Sequence, residues 1–377
     1  MKIATAPEWV TAAAARAEGK ALALAERLGG ATAFLHATTD GRYEPTGADW
    51  WTSGFWPGLL MLLHKRTGDE KLLDLAREGE EELARAILDD RLYRFHHDVG
   101  FQFMPTAIAR YKLNGDPAAR RRGFLATALL MSRFNPAGGF IEAWNGEERR
   151  GIVIVDTMMN LPLLLWAAAE FDQPRFRNVA EAHAALAMRH VVRADGSTNH
   201  IVRFDQRTGE QIEILGGQGY APDSRWSRGQ AWAIYGFALV ARYTGNPEHL
   251  TTARRVADNF VAALPPELVP PWDFAAPDAA TAPRDSSAGA IAASGLLGLA
   301  ALLPAADAEA YRTRASDLLR ALDEHCFSGD GPECDALLLH ATGNLPTHRD
   351  VDVSLIYGDF FYLEALGKLA GITETCW

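Results

Sequence analysis

The chain is poor in cysteine: its 377 residues include only Cys326, Cys334 and Cys376. Their spacing matches no zinc ribbon and no Cys-x-x-Cys motif. A chain of this length buries enough apolar surface to fold without disulfide cross-links. We therefore expect three free thiols, although Cys326 and Cys334 are close enough in the sequence to reach each other.

Long apolar runs are also lacking. No window approaches the roughly 18 uninterrupted apolar residues that a membrane-spanning helix needs. Near the start, Glu8 and Trp9 interrupt any apolar region, and Arg16, Glu18 and Lys20 follow, which is not the pattern of a signal peptide. We therefore expect a cytoplasmic protein without a membrane partner.

Positive charge is in deficit. The chain has 37 Lys and Arg against 48 Asp and Glu, a net charge of −11. An acidic surface repels phosphate backbones, so nucleic acid is excluded as an expected partner. A local cluster of arginine and histidine can still bind an anionic small molecule. With 48% hydrophobic and 23% charged residues, the composition is that of a folded protein, which we expect to be a monomer or a homodimer.

What the sequence does contain is a weak internal repeat. An apolar run ends in a Gly, Asn, Asp or Pro turn, and a charged amphipathic run follows it. These turns lie at 67–69, 114–117, 172–174, 244–247 and, more loosely, 304–307. The apolar runs are 59–63, 102–113, 161–169, 231–240, 291–303 and 360–369. The amphipathic runs are 9–28, 70–87, 118–131, 175–191, 250–264 and 309–322.

Helices that are apolar on all sides are buried, and amphipathic helices have one face in water. Six pairs of this kind predict an all-α fold, an (α/α)6 barrel with the apolar helices inside. We expect one domain over residues 1–377, because no linker divides the chain. A two-domain helical array is the alternative, but its repeats would need more uniform lengths.

Polar and aromatic residues cluster just before the apolar runs. In a closed barrel these segments lie at the same end and form one mouth. Seven of the ten tryptophans lie in or near them, at 50, 51, 56, 144, 226, 232 and 272. Aromatic faces beside carboxylates and amides are typical of a sugar-binding site. The alternative is that these tryptophans anchor loops by packing.

Two aspartates in these segments are candidates for chemistry. Asp156 follows an apolar stretch, where burial would raise the pKa of its carboxyl as a general acid requires. A cap of the following helix is the alternative, and for Asp156 taken alone it is favoured. Asp98 follows two histidines, but no further ligands are spaced for a metal ion. We expect neither a metal nor an organic cofactor.

Arg228 begins one of the apolar helices, between Trp226 and Trp232. Arginine binds carboxylates through two parallel hydrogen bonds, which suits an acidic ligand. A structural ion pair with Asp223 or Asp285 is the alternative. The residues alone thus indicate an enzyme with an acidic, sugar-like substrate, and they do not define its reaction.

At these motifs the sequence resembles glycoside hydrolase family 88, the unsaturated glucuronyl hydrolases, from about Asp49 to about Leu369. The resemblance is carried by Trp-Thr-Ser-Gly-Phe-Trp at 51–56, His-Asp-Val-Gly-Phe at 97–101, Asp156 with Asn-Leu-Pro-Leu-Leu-Leu-Trp at 160–166, Trp-Ser-Arg-Gly-Gln-Ala-Trp at 226–232, Trp-Asp-Phe at 272–274, Arg-Asp-Ser-Ser-Ala at 284–288, Gly-Asp at 358–359 and Tyr-Leu-Glu-Ala-Leu at 362–366. It implies the same barrel.

The resemblance also implies a reaction. Polysaccharide lyases leave a 4,5-unsaturated uronic acid at the non-reducing end of their products, and the family removes it by hydrating the vinyl ether. Asp156 matches the general acid and base, and Asp98 matches the partner that holds the C2 and C3 hydroxyls and tunes Asp156. Residues that match uronate-binding, water-positioning or sugar-lining positions are Trp51, His97, Trp144, His200, Gln218, Arg228 and Trp232.

The last loop departs from some relatives. Those that prefer sulfated fragments carry a Ser-x-Ser-x-Lys-like stretch there, whereas residues 340–348 here contain no serine or lysine. This argues against a sulfate preference at that position, although His348 and Arg349 can supply positive charge.

Three other functions are weighed against this one. The unsaturated rhamnogalacturonyl hydrolases of family 105 share the fold and the reaction, and a non-catalytic carbohydrate-binding barrel would keep the tryptophans. A terpene-cyclase-like barrel needs an aspartate-rich motif, which the Asp-Val-Asp-Val stretch at 350–353 does not supply.

Overall fold

A computed structural model describes residues 6–29, 33–372 and 376–377. Most of these residues are helical. The helices are α1 (Glu8–Arg27), α2 (Phe55–Thr67), α3 (Glu70–Ile87), α4 (Val99–Phe103), α5 (Ala109–Asn114), α6 (Pro117–Met131), α7 (Leu161–Glu170), α8 (Pro174–His190), α9 (Ser227–Thr244), α10 (Pro247–Ala263), α11 (Ser286–Ala300), α12 (Ala305–Cys326) and α13 (Ile356–Leu369). A π-helical turn, Met104–Ile108, joins α4 to α5 without a break.

Six helices form a closed inner ring. Around the ring the order is α2, the continuous α4–α5 helix, α7, α9, α11 and α13, and α13 packs back against α2. The outer layer follows the same order, because α3, α6, α8, α10 and α12 each pack on the inner helix that precedes them. The outer partner of α13 is α1, so the two ends of the chain close the ring. The predicted (α/α)6 barrel is confirmed.

The turns between inner and outer helices follow from their residues. Three inner helices end in a glycine with φ near +70°, a conformation that a side chain would disfavour: Gly68, Gly115 and Gly245. The next helix then begins at a side chain that accepts a hydrogen bond from a backbone N–H of its first turn: Asp69, Asp116 and Asn246. Each cap satisfies a donor that would otherwise have no partner.

The inner helices begin earlier than the apolar runs predicted. The apolar run at 231–240 lies inside α9, which begins at Ser227, and the run at 291–303 starts inside α11, which begins at Ser286. Helix α2 likewise begins at Phe55 rather than near 59. Side chains predicted to lie in loops are therefore part of the first helical turns, which fixes their direction relative to the barrel interior.

Short strands, which the sequence did not predict, lie in the connections. The antiparallel pairs are β1 (Phe34–Thr39) with β2 (Arg42–Thr46), and β3 (Phe134–Asn135) with β4 (Phe140–Ile141). A three-stranded sheet contains β5 (Ile152–Ile154), β6 (Ile201–Phe204) and β7 (Gln211–Leu215), in that order. The sheet matters for the site, because Asp156 follows β5 and His200 precedes β6.

Two predictions concern the whole chain. Cys326, Cys334 and Cys376 are all free thiols. Over residues 6–29, 33–372 and 376–377, no helix combines the length and the apolar character that a membrane span requires.

Candidate active site

The N-terminal ends of the inner helices surround a cavity of about 790 Å³. Eight of the nine predicted site residues line it: Trp51, His97, Asp98, Trp144, Asp156, His200, Gln218 and Arg228. These residues come from seven separate places in the sequence, which the barrel brings together. The ninth, Trp232, does not line the cavity.

Asn160 holds the segments of the two aspartates together. Its side-chain oxygen accepts a hydrogen bond from the backbone N–H of Phe101 at 2.9 Å, and its amide nitrogen donates to the backbone carbonyl of Asp156 at 3.2 Å. The approach is close, since a Cβ on Gly100 would lie 2.5 Å from the Cα of Asn160. A glycine is therefore required beside Asp98 if α4 is to reach the start of α7.

The carboxyl of Asp156 is available for chemistry. Its Oδ1 is buried and has no hydrogen-bond partner among the residues that the structure describes. Burial raises the pKa of Asp156 to about 7, and the positive charge of Arg228 opposes part of this rise. The short 3-10 helix at Val155–Met159 has Ile154 at its N-cap position, and α7 has Asn160. The alternative that Asp156 is a helix cap is therefore wrong.

The pKa of the Asp98 carboxyl is raised as well. Burial, together with the negative charge of Asp156, raises the pKa of Asp98 to about 8, and Arg133 partly opposes the rise. A carboxyl with such a pKa retains a proton near neutral pH.

The side chain of His97 lies against that of Asp98. The imidazole Nε2 lies 3.3 Å from Asp98 Oδ1, and its Nδ1 lies 2.7 Å from the hydroxyl of Thr157. Burial holds the pKa of His97 well below its usual value, so the ring is neutral. The two contacts hold the ring of His97 between Asp98 and Thr157.

His200 lines the cavity with its ring held in place. Its Nδ1 lies 2.8 Å from the backbone N–H of Gln218 and 3.2 Å from the backbone carbonyl oxygen of Gly216, so this edge of the ring is held by the loop before α9. Burial lowers the pKa of His200 to about 3, so the ring is neutral. Gly217 makes the contact possible, because it has a φ of +59° and a Cβ there would lie 2.2 Å from Nδ1.

Arg228 does not match the prediction of a free clamp for a carboxylate. Both of its terminal nitrogens already donate two hydrogen bonds each. One donates to Asp285 and to the carbonyl of Thr342, and the other to the side chain of Gln218 and the carbonyl of Gly343. The structural pair with Asp285, weighed as the alternative, is thus present. Arg228 lines the cavity, fixes Gln218 and the last loop, and contributes its charge.

The tryptophans divide into two groups. Trp50, Trp51, Trp144 and Trp226 line the cavity, as expected for a sugar site. The others, Trp56, Trp232 and Trp272, are buried and pack within the protein. The prediction that Trp232 contacts substrate is not supported, since its side chain is 0% exposed and its ring lies 4.9 Å from that of Phe101. Trp232 belongs to the apolar run that forms the buried part of α9.

Other cavity residues were not among the predicted site residues. Tyr357, at the start of α13, lines the cavity, and its ring lies 4.9 Å from that of Trp51. The last loop adds Asn344 and Arg349, and the segment before β5 adds Arg149. Tyr357 lies in one of the segments predicted to form the mouth, a signal that could have identified it. Among the described residues, no group of three His, Cys, Asp or Glu is arranged to hold a metal ion.

Comparisons with known proteins agree with this geometry. Residues 31–331 match the family model described as Glycosyl Hydrolase Family 88. The chain is 40% identical over 333 residues to an unsaturated glucuronyl hydrolase of Bacillus sp. strain GL1, covering 86% of this chain and 87% of the relative. It is 34% identical to an unsaturated chondroitin disaccharide hydrolase of Streptococcus pyogenes serotype M1, covering 88% and 84%.

A solved structure extends the likeness to three dimensions. The crystal structure of the unsaturated glucuronyl hydrolase from Bacillus sp. GL1 superposes with a TM-score of 0.91 at 36% identity, covering 96% of both chains. Together with the family match over most of the sequence, this places the chain in glycosyl hydrolase family 88.

Proposed function

We propose that this glycoside hydrolase removes a 4,5-unsaturated uronic acid from the non-reducing end of lyase-generated oligosaccharides, with Asp156 as the general acid and base. The observation that carries the proposal is the Asp156 carboxyl: it is buried, has an unpartnered oxygen, and has a pKa near neutrality. The names of the relatives, unsaturated glucuronyl and chondroitin disaccharide hydrolases, support the same substrate. Membership of family 88 favours a glucuronyl over a rhamnogalacturonyl substrate.

The reaction hydrates a vinyl ether. Asp156 gives its proton to C4 of the unsaturated ring, and the positive charge that develops is shared by C5 and the ring oxygen. The Asp156 carboxylate then takes a proton from a water molecule as the water oxygen bonds to C5, which restores the acid. The resulting hemiketal opens, and the shortened sugar leaves together with a keto-uronic acid. One water is consumed and no electrons are exchanged.

The neighbours of Asp156 support these steps. Asp98 binds the C2 and C3 hydroxyls, and it lies close enough to Asp156 for the charge of one carboxyl to affect the pKa of the other. His200 is a neutral ring, which can contact the water or the uronate without competing for the proton. Trp51 and Trp144 provide the apolar faces on which sugar rings stack.

The test follows the conjugated double bond of an unsaturated uronyl disaccharide by its ultraviolet absorbance, in H2O and in D2O. We expect the absorbance to disappear, with deuterium at C4 of the released keto acid. Asp156→Asn should lower kcat about 10³-fold or more, because the amide cannot supply the proton. The control is Asp172→Asn, in an outer turn with a φ of +50° that asparagine tolerates. Normal turnover by Asp156→Asn would disprove the assignment.

A further inference from the structure

A second cavity, of about 600 Å³, adjoins the active-site cavity. Tyr93, on the 3-10 helix Asp90–Arg94, lines both of them. Two consecutive residues are divided between the cavities, because Trp144 lines the active-site cavity and Asn145 lines the second one. Tyr93 and this pair of residues therefore form the boundary between the two cavities.

Hydrogen bonds hold this boundary together. The side-chain nitrogen of Asn145 donates to the backbone carbonyl of Tyr93 at 2.7 Å, and its side-chain oxygen accepts from Arg133 at 2.9 Å. Arg133 also donates from Nε to the backbone carbonyl of Glu142 at 2.7 Å. The backbone of Tyr93 is thus attached to the segment that carries Trp144, so the two residues keep a fixed relative position.

The side chain of Tyr93 is unusually open to solvent. It is 83% exposed, more than any other large hydrophobic side chain in the described part of the chain. Tyrosine has an apolar ring with a polar tip, and its ring is normally at least partly covered. An exposed ring beside a carbohydrate site offers an apolar surface for the C–H face of a pyranose and a hydroxyl for hydrogen bonding.

The lining of the second cavity also suits a sugar. Its polar side chains are Ser132, Arg133, Asn135, Glu142, Asn145 and Gln206. Amides and hydroxyls both donate and accept hydrogen bonds, as sugar hydroxyls do. Arg133 makes no ion pair with a carboxylate among the described residues, and one of its terminal nitrogens has no acceptor there. A surface that docks another protein has a more apolar centre than this.

The depth of the active site determines which sugar meets Tyr93. The unsaturated uronate has to bring C4 to Asp156, whose Oδ1 is fully buried, so the rest of the oligosaccharide extends towards the mouth. Trp144 offers its face to the sugar next to the uronate. The sugar after that one lies beyond Trp144, where Tyr93 forms the boundary with the second cavity.

We propose that Tyr93 stacks on the third sugar, counted from the unsaturated uronate, and that the second cavity binds this sugar through its polar side chains. The chain then prefers unsaturated oligosaccharides of three or more sugars over disaccharides. The inference rests on the proposed function and specifies the length of its substrate.

The experiment compares the unsaturated disaccharide and tetrasaccharide of hyaluronan, which carry no sulfate and differ only in length. The measured quantity is the ratio of kcat/KM for the tetrasaccharide to that for the disaccharide. The wild type, Tyr93→Ala and Tyr93→Phe are assayed beside Tyr220→Ala. Tyr220 is a matched control, because it is a 53% exposed tyrosine that lines neither cavity.

We expect a ratio of about ten for the wild type, and Tyr93→Ala should lower it about fivefold, mainly through KM. Tyr93→Phe keeps the ring and should retain most of the preference, and Tyr220→Ala should keep the ratio of the wild type. A ratio near one in the wild type, or an unchanged ratio in Tyr93→Ala, would overturn the proposal. An equal loss on both substrates would also overturn it, because Tyr93 would then serve the first two sugars.

Binding separates this inference from the proposed reaction. Calorimetry on Asp156→Asn, alone and combined with Tyr93→Ala, measures affinity for both oligosaccharides without relying on turnover. If the tetrasaccharide binds more tightly and Tyr93→Ala abolishes the difference, the third-sugar site stands even where the assignment of Asp156 fails. If the two oligosaccharides bind equally to Asp156→Asn, the third-sugar site is disproved whatever the activity.

Discussion

Two buried carboxylates in this barrel have opposite surroundings. Glu80, on the outer helix α3, is 1% exposed and is held by two arginines. Arg110 donates to it at 2.5 and 2.9 Å, and Arg122 at 2.7 Å. Asp156, at the mouth, has a buried oxygen with no hydrogen-bond partner in the described part of the chain. Its negative charge contributes to the raised pKa of a second acid, Asp98.

The difference distinguishes a buried acid that stabilises the fold from one that can transfer a proton. A buried charge that is fully paired resists any change in protonation, and breaking the pair is costly. A buried carboxyl that lacks a partner and lies near a second acid has a pKa shifted towards neutrality, which is what proton transfer requires. The sequence contains both kinds of acid, and only their three-dimensional neighbours distinguish them.

The largest effect on stability is expected where a paired charge is broken. Glu80→Gln removes the buried carboxylate shared by Arg110 and Arg122, which keep only their pairs with Asp116 and Glu81, and we expect it to lower the free energy of unfolding by about 3–5 kcal/mol. The matched control is Glu81→Gln, because Glu81 is 40% exposed and makes one 3.3 Å ion pair with Arg122. That change should cost less than about 1 kcal/mol.

Denaturant unfolding at pH 7 measures both variants, and kcat is measured at a temperature where both are folded. We expect kcat to be unchanged in each, since Glu80 does not line the cavity. A large loss of kcat in folded Glu80→Gln would mean that the paired carboxylate also serves the site, and the contrast with Asp156 would fail.

A smaller effect, with the opposite sign, is expected at the mouth. Because the pKa of Asp98 is raised to about 8 in the folded chain, folding favours its protonated form. The resulting stability is complete below the unfolded pKa of about 4 and is lost as the pH rises towards 8. Asp98→Asn cannot ionise, so we expect it to be more stable than the wild type at pH 8 and to differ less at pH 5.

The stability of Asp98→Asn relative to the wild type is measured by thermal unfolding at several pH values between 5 and 8. Asp90→Asn, on an exposed 3-10 helix, is the control and should keep the pH dependence of the wild type. If Asp98→Asn keeps it as well, the carboxyl ionises freely in the folded protein and the buried acid pair does not exist.

The arrangement of the helices could be predicted from the sequence. Apolar runs that end in glycine and are followed by a capping Asp or Asn specify helix pairs locally, and six pairs leave few ways to bury the apolar helices. The placement of Asp98 and Arg228 at one cavity followed, because residues at the start of inner helices meet at one end of the barrel, whereas the roles of Trp144 and His200 were implied by the family resemblance.

The first residues of the helices and the partners in ion pairs could not be predicted from the sequence. Helix α9 begins at Ser227, ahead of the apolar run at 231–240, and Trp232 is buried in the core rather than lining the cavity. The choice between a ligand and Asp285 as the partner of Arg228 depends on α11, which is 57 residues away in the chain. Local patterns carry no information on such distant neighbours.

The smallest expected effect concerns Trp232 and tests that helix boundary. Trp232→Phe removes buried volume, but it also removes an Nε1–H that is buried without a partner among the described residues. The two contributions oppose each other, so we expect the free energy of unfolding to change by no more than about 1 kcal/mol. We expect KM to change by less than about twofold, a change of under roughly 0.5 kcal/mol in binding. Trp144→Ala, which removes a ring that lines the cavity, should raise KM clearly. If Trp232→Phe raised KM as much as Trp144→Ala, Trp232 would have to reach the substrate, and the first turns of α9 would need a different arrangement.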